Sequence, residues 1–183
     1  DQIHVQLKKK KLPAQEMELL QMQNDTFRLI ADWYYLAILN LAKIKKNKGN
    51  AQWVSERLAI GVEEAKNALE MLKRLGLIEI KRGKMTRTSL PLSTTRDIPS
   101  EALKLHHHNN LQLAGESLHL DPVESREFSS VTMAIDPKQL PQAKELLMKT
   151  KRKVAKILET DNPSEVYTLS FQLFPLTKKE GLS

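Results

Sequence analysis

The chain has 183 residues, 40% hydrophobic and 28% charged, proportions close to globular averages that exclude wholesale disorder. Asp32 and Asn40 interrupt the most apolar stretch, Leu29 to Ile44, so no run reaches the ~18 to 20 residues of a membrane span. With no cysteine, disulfide staples, thiolate metal sites and a Cys nucleophile are excluded. The formal charge of +7 is uneven: residues 1–95 carry 17 Lys and Arg against 10 Asp and Glu, residues 96–183 carry 12 of each. The first half is therefore the half suited to a polyanion. The chain opens on Asp1 and lacks a signal-peptide hydrophobic core, which is expected of a processed or truncated form of a soluble, cytoplasmic protein.

Residues 1–23 combine Lys8 to Lys11 with Pro13 and several glutamines, and read as a partly helical or disordered linker. From Asp25, an N-cap residue, Phe27, Ile30, Tyr34, Ile38 and Leu41 recur at helical spacing and predict one long helix ending near Ile44. Trp33, Leu36 and Leu39 fall off that stripe, so this helix is expected to be buried centrally or shared with a partner chain. A polar loop, Lys45 to Asn50, leads into a short helix, Ala51 to Leu58, and then a tight turn. Gly61 is the residue expected to take the positive φ of that turn. Glu63 to Leu75 forms the second helix of the pair, on the stripe Ala65, Ala68, Leu69 and Leu72, and Gly76 caps it. Leu77 to Leu90 then reads as a β-hairpin with a basic tip at Arg82 and Lys84. Paired helices followed by a two-stranded wing is the order of a winged helix-turn-helix, assigned to residues 24–95.

Residues 96–183 read as a helix plus a β-α-β element serving self-association or effector binding. The helix runs from Ser100 to about His119, with Leu103, His107, Leu111 and Leu118 on one side, and Asp121 and Pro122 end it. Phe128 to Ile135 and Glu165 to Leu176 alternate as strands around a helix that starts at Pro141 and ends near Glu159. Two strands alone make a poor sheet, so pairing with the wing, across a dimer axis, or both, is expected. The whole is an α+β protein.

Duplex DNA requires cations against phosphates and a helix face that reaches base edges. Lys45, Lys46 and Lys48 precede the short helix where a phosphate backbone would pass. Arg82, Lys84 and Arg87 lie on the wing, and Lys66, Asn67, Lys73 and Arg74 lie on the outer face of the second helix. Glu63, Glu64 and Glu70 oppose them on that helix, which leaves open a scaffold that does not touch DNA. His106, His107 and His108 are consecutive and point ~100° apart, so they do not converge on a metal, and His107 falls on the apolar side of its helix. Arg126, Ser129, Ser130 and Thr132 form a polar patch for an anion, for a small effector or for structural hydrogen bonds. No phosphate loop, His-Glu-x-x-His or serine elbow is present, so no enzymatic activity, cofactor or metal is expected.

Three strings are distinctive together: Trp33-Tyr34-Tyr35 with Ala37-Ile38-Leu39, Arg126 to Thr132, and Val166-Tyr167 to Phe174-Pro175-Leu176. From Thr26 to Lys178 the chain resembles a bacterial winged-helix-type family, a domain of unknown function heavily duplicated in predatory bacteria. The resemblance implies a transcriptional role. It also implies that this chain is the C-terminal domain of a larger regulator, whose members carry a further helical segment ahead of it. The expected function is that of a transcriptional regulator fragment binding duplex DNA as a homodimer, with a small-molecule effector as a further partner and no membrane association. The alternative is a dimerisation or effector-sensing module that does not bind DNA.

Overall fold

The computed structural model describes residues 24–88 and 100–178. The expected linker 1–23, the expected end of the hairpin at residues 89–90 and the connection 93–98 lie outside the described residues. The architecture is mixed α and β: a group of helices with a two-stranded antiparallel sheet, compatible with the α+β class.

The expected long first helix is broken in two. Residues 24–31 are helical (α1), Asp32 is extended at ψ 111°, and α2 runs from Trp33–Leu41. The break has a local cause. The Asp32 carboxylate accepts from the Arg28 guanidinium at 3.3 Å and from the Tyr34 hydroxyl at 3.1 Å. These bonds hold the acid at the positive N-terminal end of α2, where a negative charge is favoured. The expectation of central burial is met, because Tyr34, Tyr35, Ile38, Leu39 and Leu41 are all buried.

Helix α3, Ala51–Leu58, is capped by Asn50, whose side chain accepts the Trp53 N–H at 2.8 Å. The turn that follows corrects the sequence reading. Ala59 takes the left-handed conformation at φ 53°, while Gly61 sits at φ −61° as the extended N-cap of α4, Val62–Arg74. The Ser55 hydroxyl donates to the Ile60 carbonyl at 2.6 Å and Ile60 N–H donates to Ser55 carbonyl at 3.3 Å, which closes the turn around Ala59. At its other end α4 finishes in a Schellman motif. Gly76 at φ 68° donates to the Lys73 carbonyl, and Leu77 donates to the Leu72 carbonyl, both at 2.9 Å.

Strand β1, Ile78–Lys81, pairs with β2, Lys84–Arg87, in the register Ile78 with Arg87 and Lys81 with Lys84. The connection is a two-residue turn with Arg82 at φ 49° and Gly83 at φ 75°, the double positive φ of a type I′ hairpin. Leu77, Ile78 and Met85 join Val54, Ala65, Ala68, Leu69 and Leu72 beneath α2, so the core lies almost wholly within residues 29–85.

Helix α5, Ser100–Leu120, and helix α6, Leu140–Leu158, occupy their expected spans. The faces of α5 do not follow the expectation. Ala102 and Asn110 are buried, Asn109 donates to the Ala31 carbonyl at 3.0 Å, and His107, Leu111 and Leu118 are exposed. The apolar stripe of α5 thus faces outward, because polar side chains able to hydrogen-bond α1 took the inward face. The β-α-β expectation also needs correction: neither 128–135 nor 165–176 joins a β-ladder among the described residues. Among the described residues their alternating side chains have no second strand to pack beside, and most of the large apolar ones are exposed.

Candidate functional site

The loop before α3 and the hairpin tip, read separately in the sequence, form one edge. Asn47 is buried in this edge and bonds in three directions. Its amide donates to the carbonyls of Ile44 at 2.7 Å and Ala42 at 3.2 Å, and its oxygen accepts the Met85 N–H of β2 at 2.7 Å. Two residues on, the Gly49 N–H donates to the Gly83 carbonyl at 2.8 Å. A Cβ at Gly49 would lie 2.6 Å from the Ile80 Cγ2, so only glycine lets the loop come this close. Lys45, Lys46 and Lys48 are exposed on one side of this junction, Arg82 and Lys84 on the other, and the half-buried Arg87 lies at the far end of β2. The capped N-terminus of α3 opens beside the loop and adds the positive end of a helix dipole.

Helix α4 turns Ala65, Ala68, Leu69, Met71 and Leu72 inward and leaves Glu63, Lys66, Asn67, Glu70, Lys73 and Arg74 exposed. At 100° per residue, Glu63 and Glu70 occupy the middle of that outward face, with Lys66 and Lys73 on one flank and Asn67 and Arg74 on the other. Two of the cations have intramolecular partners. Lys66 lies 3.7 Å from Glu63, and Arg74 reaches the carboxylate of Asp25 at 2.7 Å and 3.2 Å. The Asp25 side chain is only 6% exposed, so Arg74 supplies the counter-charge of a buried acid and fastens α1 to α4.

Two clefts flank this surface. One, of about 270 Å³, lies between the starts of α2 and α4 and the side of α5, and collects Asp32, Glu64 and Glu116 beside Trp33. Its acidity is unsuited to a phosphate. The other, of about 440 Å³, lies beside Lys45, Lys46, Trp53 and Arg57 and is closed by Asn162, Pro163 and Ser164. Arg57 donates to the Ser164 carbonyl at 3.1 Å and to the Glu165 carboxylate at 2.7 Å. Lys43 lies 3.8 Å from Glu159. The chain after α6 is thereby pinned against the cationic edge.

The polar patch separates into unlike parts. Arg126 donates to the Asp121 carbonyl at 3.0 Å and stacks over the Phe128 ring, which closes the turn after α5. Ser129, Ser130 and Thr132 lie exposed along the irregular run that follows. Among the histidines it is His106, not His107, that faces inward. It pairs with the Asn110 side chain at 2.9 Å, and its Nδ1 is buried. Burial pushes the His106 pKa down and the His107 ring adds to that; the Ile30 backbone opposes them without closing a hydrogen bond onto Nδ1. Among the described residues no group of three or more His, Asp or Glu side chains is placed to hold a metal ion.

Sequence reasoning missed Asn47, Gly49, Arg57 and the Asp25–Arg74 pair. The run Asn47-Lys48-Gly49-Asn50 carried a signal in its density of turn residues, but nothing local marks Asn47 as buried. No helix among the described residues is long and apolar enough to cross a membrane. No curated protein and no solved structure matches the chain. Residues 13–176 match the model of the family described as Domain of unknown function (DUF4423), and the chain belongs to that family.

Proposed function

We propose that this chain is the duplex-DNA-binding unit of a bacterial transcriptional regulator, a winged helix-turn-helix that acts as a homodimer through predominantly phosphate contacts. The observation that carries this reading is the junction at Gly49 and Gly83, which joins Lys45, Lys46 and Lys48 to Arg82 and Lys84 in one cationic edge. In the proposed arrangement α3 and α4 are the helix pair and β1–β2 the wing. The edge meets the sugar-phosphate backbone and the exposed face of α4 turns toward the groove. Phosphate contacts fix position more than sequence, so binding is expected to be steeply salt-dependent and weakly selective. Each phosphate neutralised contributes a slope of about −0.9 in the logarithmic dependence of affinity on salt. A titration of the chain with an arbitrary duplex at 50 and 200 mM salt tests this. The Arg82→Glu, Lys84→Glu double variant should bind at least about tenfold more weakly with a shallower slope. Absence of binding at the lower salt would reject the DNA reading.

A second reading is favoured by Glu63 and Glu70, which hold the middle of the outward face of α4. Carboxylates there oppose approach to phosphates, and Lys66 and Arg74 are already paired within the chain. In that reading the same helices and hairpin are a scaffold for dimerisation or effector sensing, and another part of a larger regulator contacts DNA. The two readings separate on a Glu63→Gln, Glu70→Gln variant. Tighter duplex binding than the parent places α4 at the DNA; unchanged affinity removes α4 from it.

A further inference from the structure

We propose that residues 128–178 are a dimerisation element that forms one shared sheet layer with the same residues of a second copy of this chain. This deepens the homodimer part of the reading above and does not depend on DNA binding.

Along 128–135 the exposed apolar residues include Val131, Met133 and Ile135, and along 165–176 they include Tyr167, Leu169, Phe171 and Leu173. Both sets have period two, so in an extended strand each would line a single face. Val131 is 74% exposed and Tyr167 67% exposed. Between these segments α6 is amphipathic, yet it buries no residue and leaves Leu146, Met148, Ile157 and Leu158 exposed. At 100° per residue Lys149, Arg152, Lys153 and Lys156 share the side opposite Leu147 and Val154, while Lys144 and Lys151 lie beside Leu158. At roughly 100 Å² per aliphatic side chain and 150–250 Å² per aromatic one, half-exposure leaves these segments and α6 an apolar surface on the order of 700 Å². One partner of a standard interface contributes about 800 Å².

The second copy is the occupant that the geometry favours. One chain supplies two such segments and one helix, and a two-stranded sheet is marginal in water. Two copies supply four strands and two α6 helices, enough for a sheet covered by helices on one side, and a two-fold axis makes the same patch self-complementary. The basic side of each α6 then stays in water. A lipid surface would accept an amphipathic basic helix, but its hydrocarbon offers no hydrogen bonds to the backbone of the alternating segments. The element is also held in place for pairing. Arg57 binds Glu165, and Val166 packs against the core, so the second segment leaves the N-terminal half from a fixed point.

Light scattering of the full chain at micromolar concentration, together with hydrogen exchange at high and low concentration, tests the proposal. The expected result is twice the monomer mass of 20.9 kDa. Backbone amides of 128–135 and 165–176 should be protected in the dimer and lose protection on dilution. Val131→Arg and Phe171→Arg place charges at positions that are exposed in the single chain. Each should lower the association constant at least tenfold while leaving the circular dichroism of the helices in place. A monomer at 100 micromolar would overturn the proposal. So would a dimer that keeps its mass in both arginine variants, or one whose amides in these segments exchange freely. A chain that stays monomeric but sediments with anionic phospholipid vesicles would assign the surface to lipid instead. A dimer that binds no duplex would leave this proposal standing and reject only the DNA reading.

Discussion

The side-chain oxygen of Asn47 accepts the backbone N–H of Met85 at 2.7 Å, across 38 residues of chain and within the buried core. This one bond sets the hairpin against the loop that carries Lys45, Lys46 and Lys48. With the two donations from the Asn47 amide it ties the hairpin to the Ala42 and Ile44 carbonyls, the latter of which also accepts the Asn47 backbone N–H at 3.1 Å.

Replacing Asn47 by alanine should therefore cost more than an average hydrogen bond. Buried polar groups left unpaired cost about 1–3 kcal/mol each, and with part of that cost relieved by relaxation the expected loss is about 2–4 kcal/mol. Urea denaturation of the variant measures it. Asn47→Asp should retain the bond to Met85 and lose both donations, and is expected to lose stability as well.

Gly49 is constrained by space. Its missing Cβ would sit 2.6 Å from the Ile80 Cγ2, a branched side chain with little freedom to move. Gly49→Ala is expected to destabilise the fold by about 1–3 kcal/mol. Ile80→Ala should relieve most of that, so the double variant will be more stable than the sum of the single changes implies. A double-mutant cycle in urea reads the coupling directly.

Arg82 separates stability from binding. A non-glycine residue at φ 49° carries roughly 1–2 kcal/mol of backbone strain, so Arg82→Gly should raise stability by up to about 1 kcal/mol once the greater entropy of unfolded glycine is subtracted. The same change removes a cation from the edge and should weaken duplex binding. Thermal unfolding and duplex titration of one variant are thus expected to move in opposite directions.

His106 makes the docking of α5 sensitive to acid. Its pKa is lowered in the folded chain, chiefly by burial. Below the ordinary histidine value of about 6.5 the unfolded chain takes up a proton that the folded chain resists, so stability falls as the pH drops through that point and is unaffected above it. His106→Gln should flatten this component. Unfolding of both proteins at pH 7.5 and 5.5 isolates it from the other histidines, which are common to the two.

Removing Arg74 tests whether its charge serves the fold. Arg74→Met leaves the nearly buried Asp25 carboxylate without its guanidinium and should cost about 1–3 kcal/mol, measured by urea denaturation. Any fall in duplex affinity should then track the loss of folded protein and disappear at temperatures where the variant remains fully folded.

Local pattern was enough for the second helix of the pair and the hairpin, though not for the first helix or the turn at Ala59. The helical spacing of Ala65, Ala68, Leu69 and Leu72, the Gly76 cap and the Arg82-Gly83 turn are each encoded within a few residues, and the structure places all of them where the sequence indicated. Helices α5 and α6 were legible for the same reason, since periodicity and proline act over short range. Which side of α5 faces inward was decided by hydrogen bonds from Asn109 and packing around His106, and a stripe of leucines does not reveal such contacts. The break at Asp32, the burial of Asn47 and the engagement of Arg74 by Asp25 likewise depend on groups brought together only by folding. For 128–135 and 165–176 the alternation was plain in the sequence, but a strand exists only with a neighbour to receive its hydrogen bonds. Amino-acid order settles which residues can form a face, and tertiary structure settles what that face meets, because burial and pairing are properties of two surfaces and not of one segment.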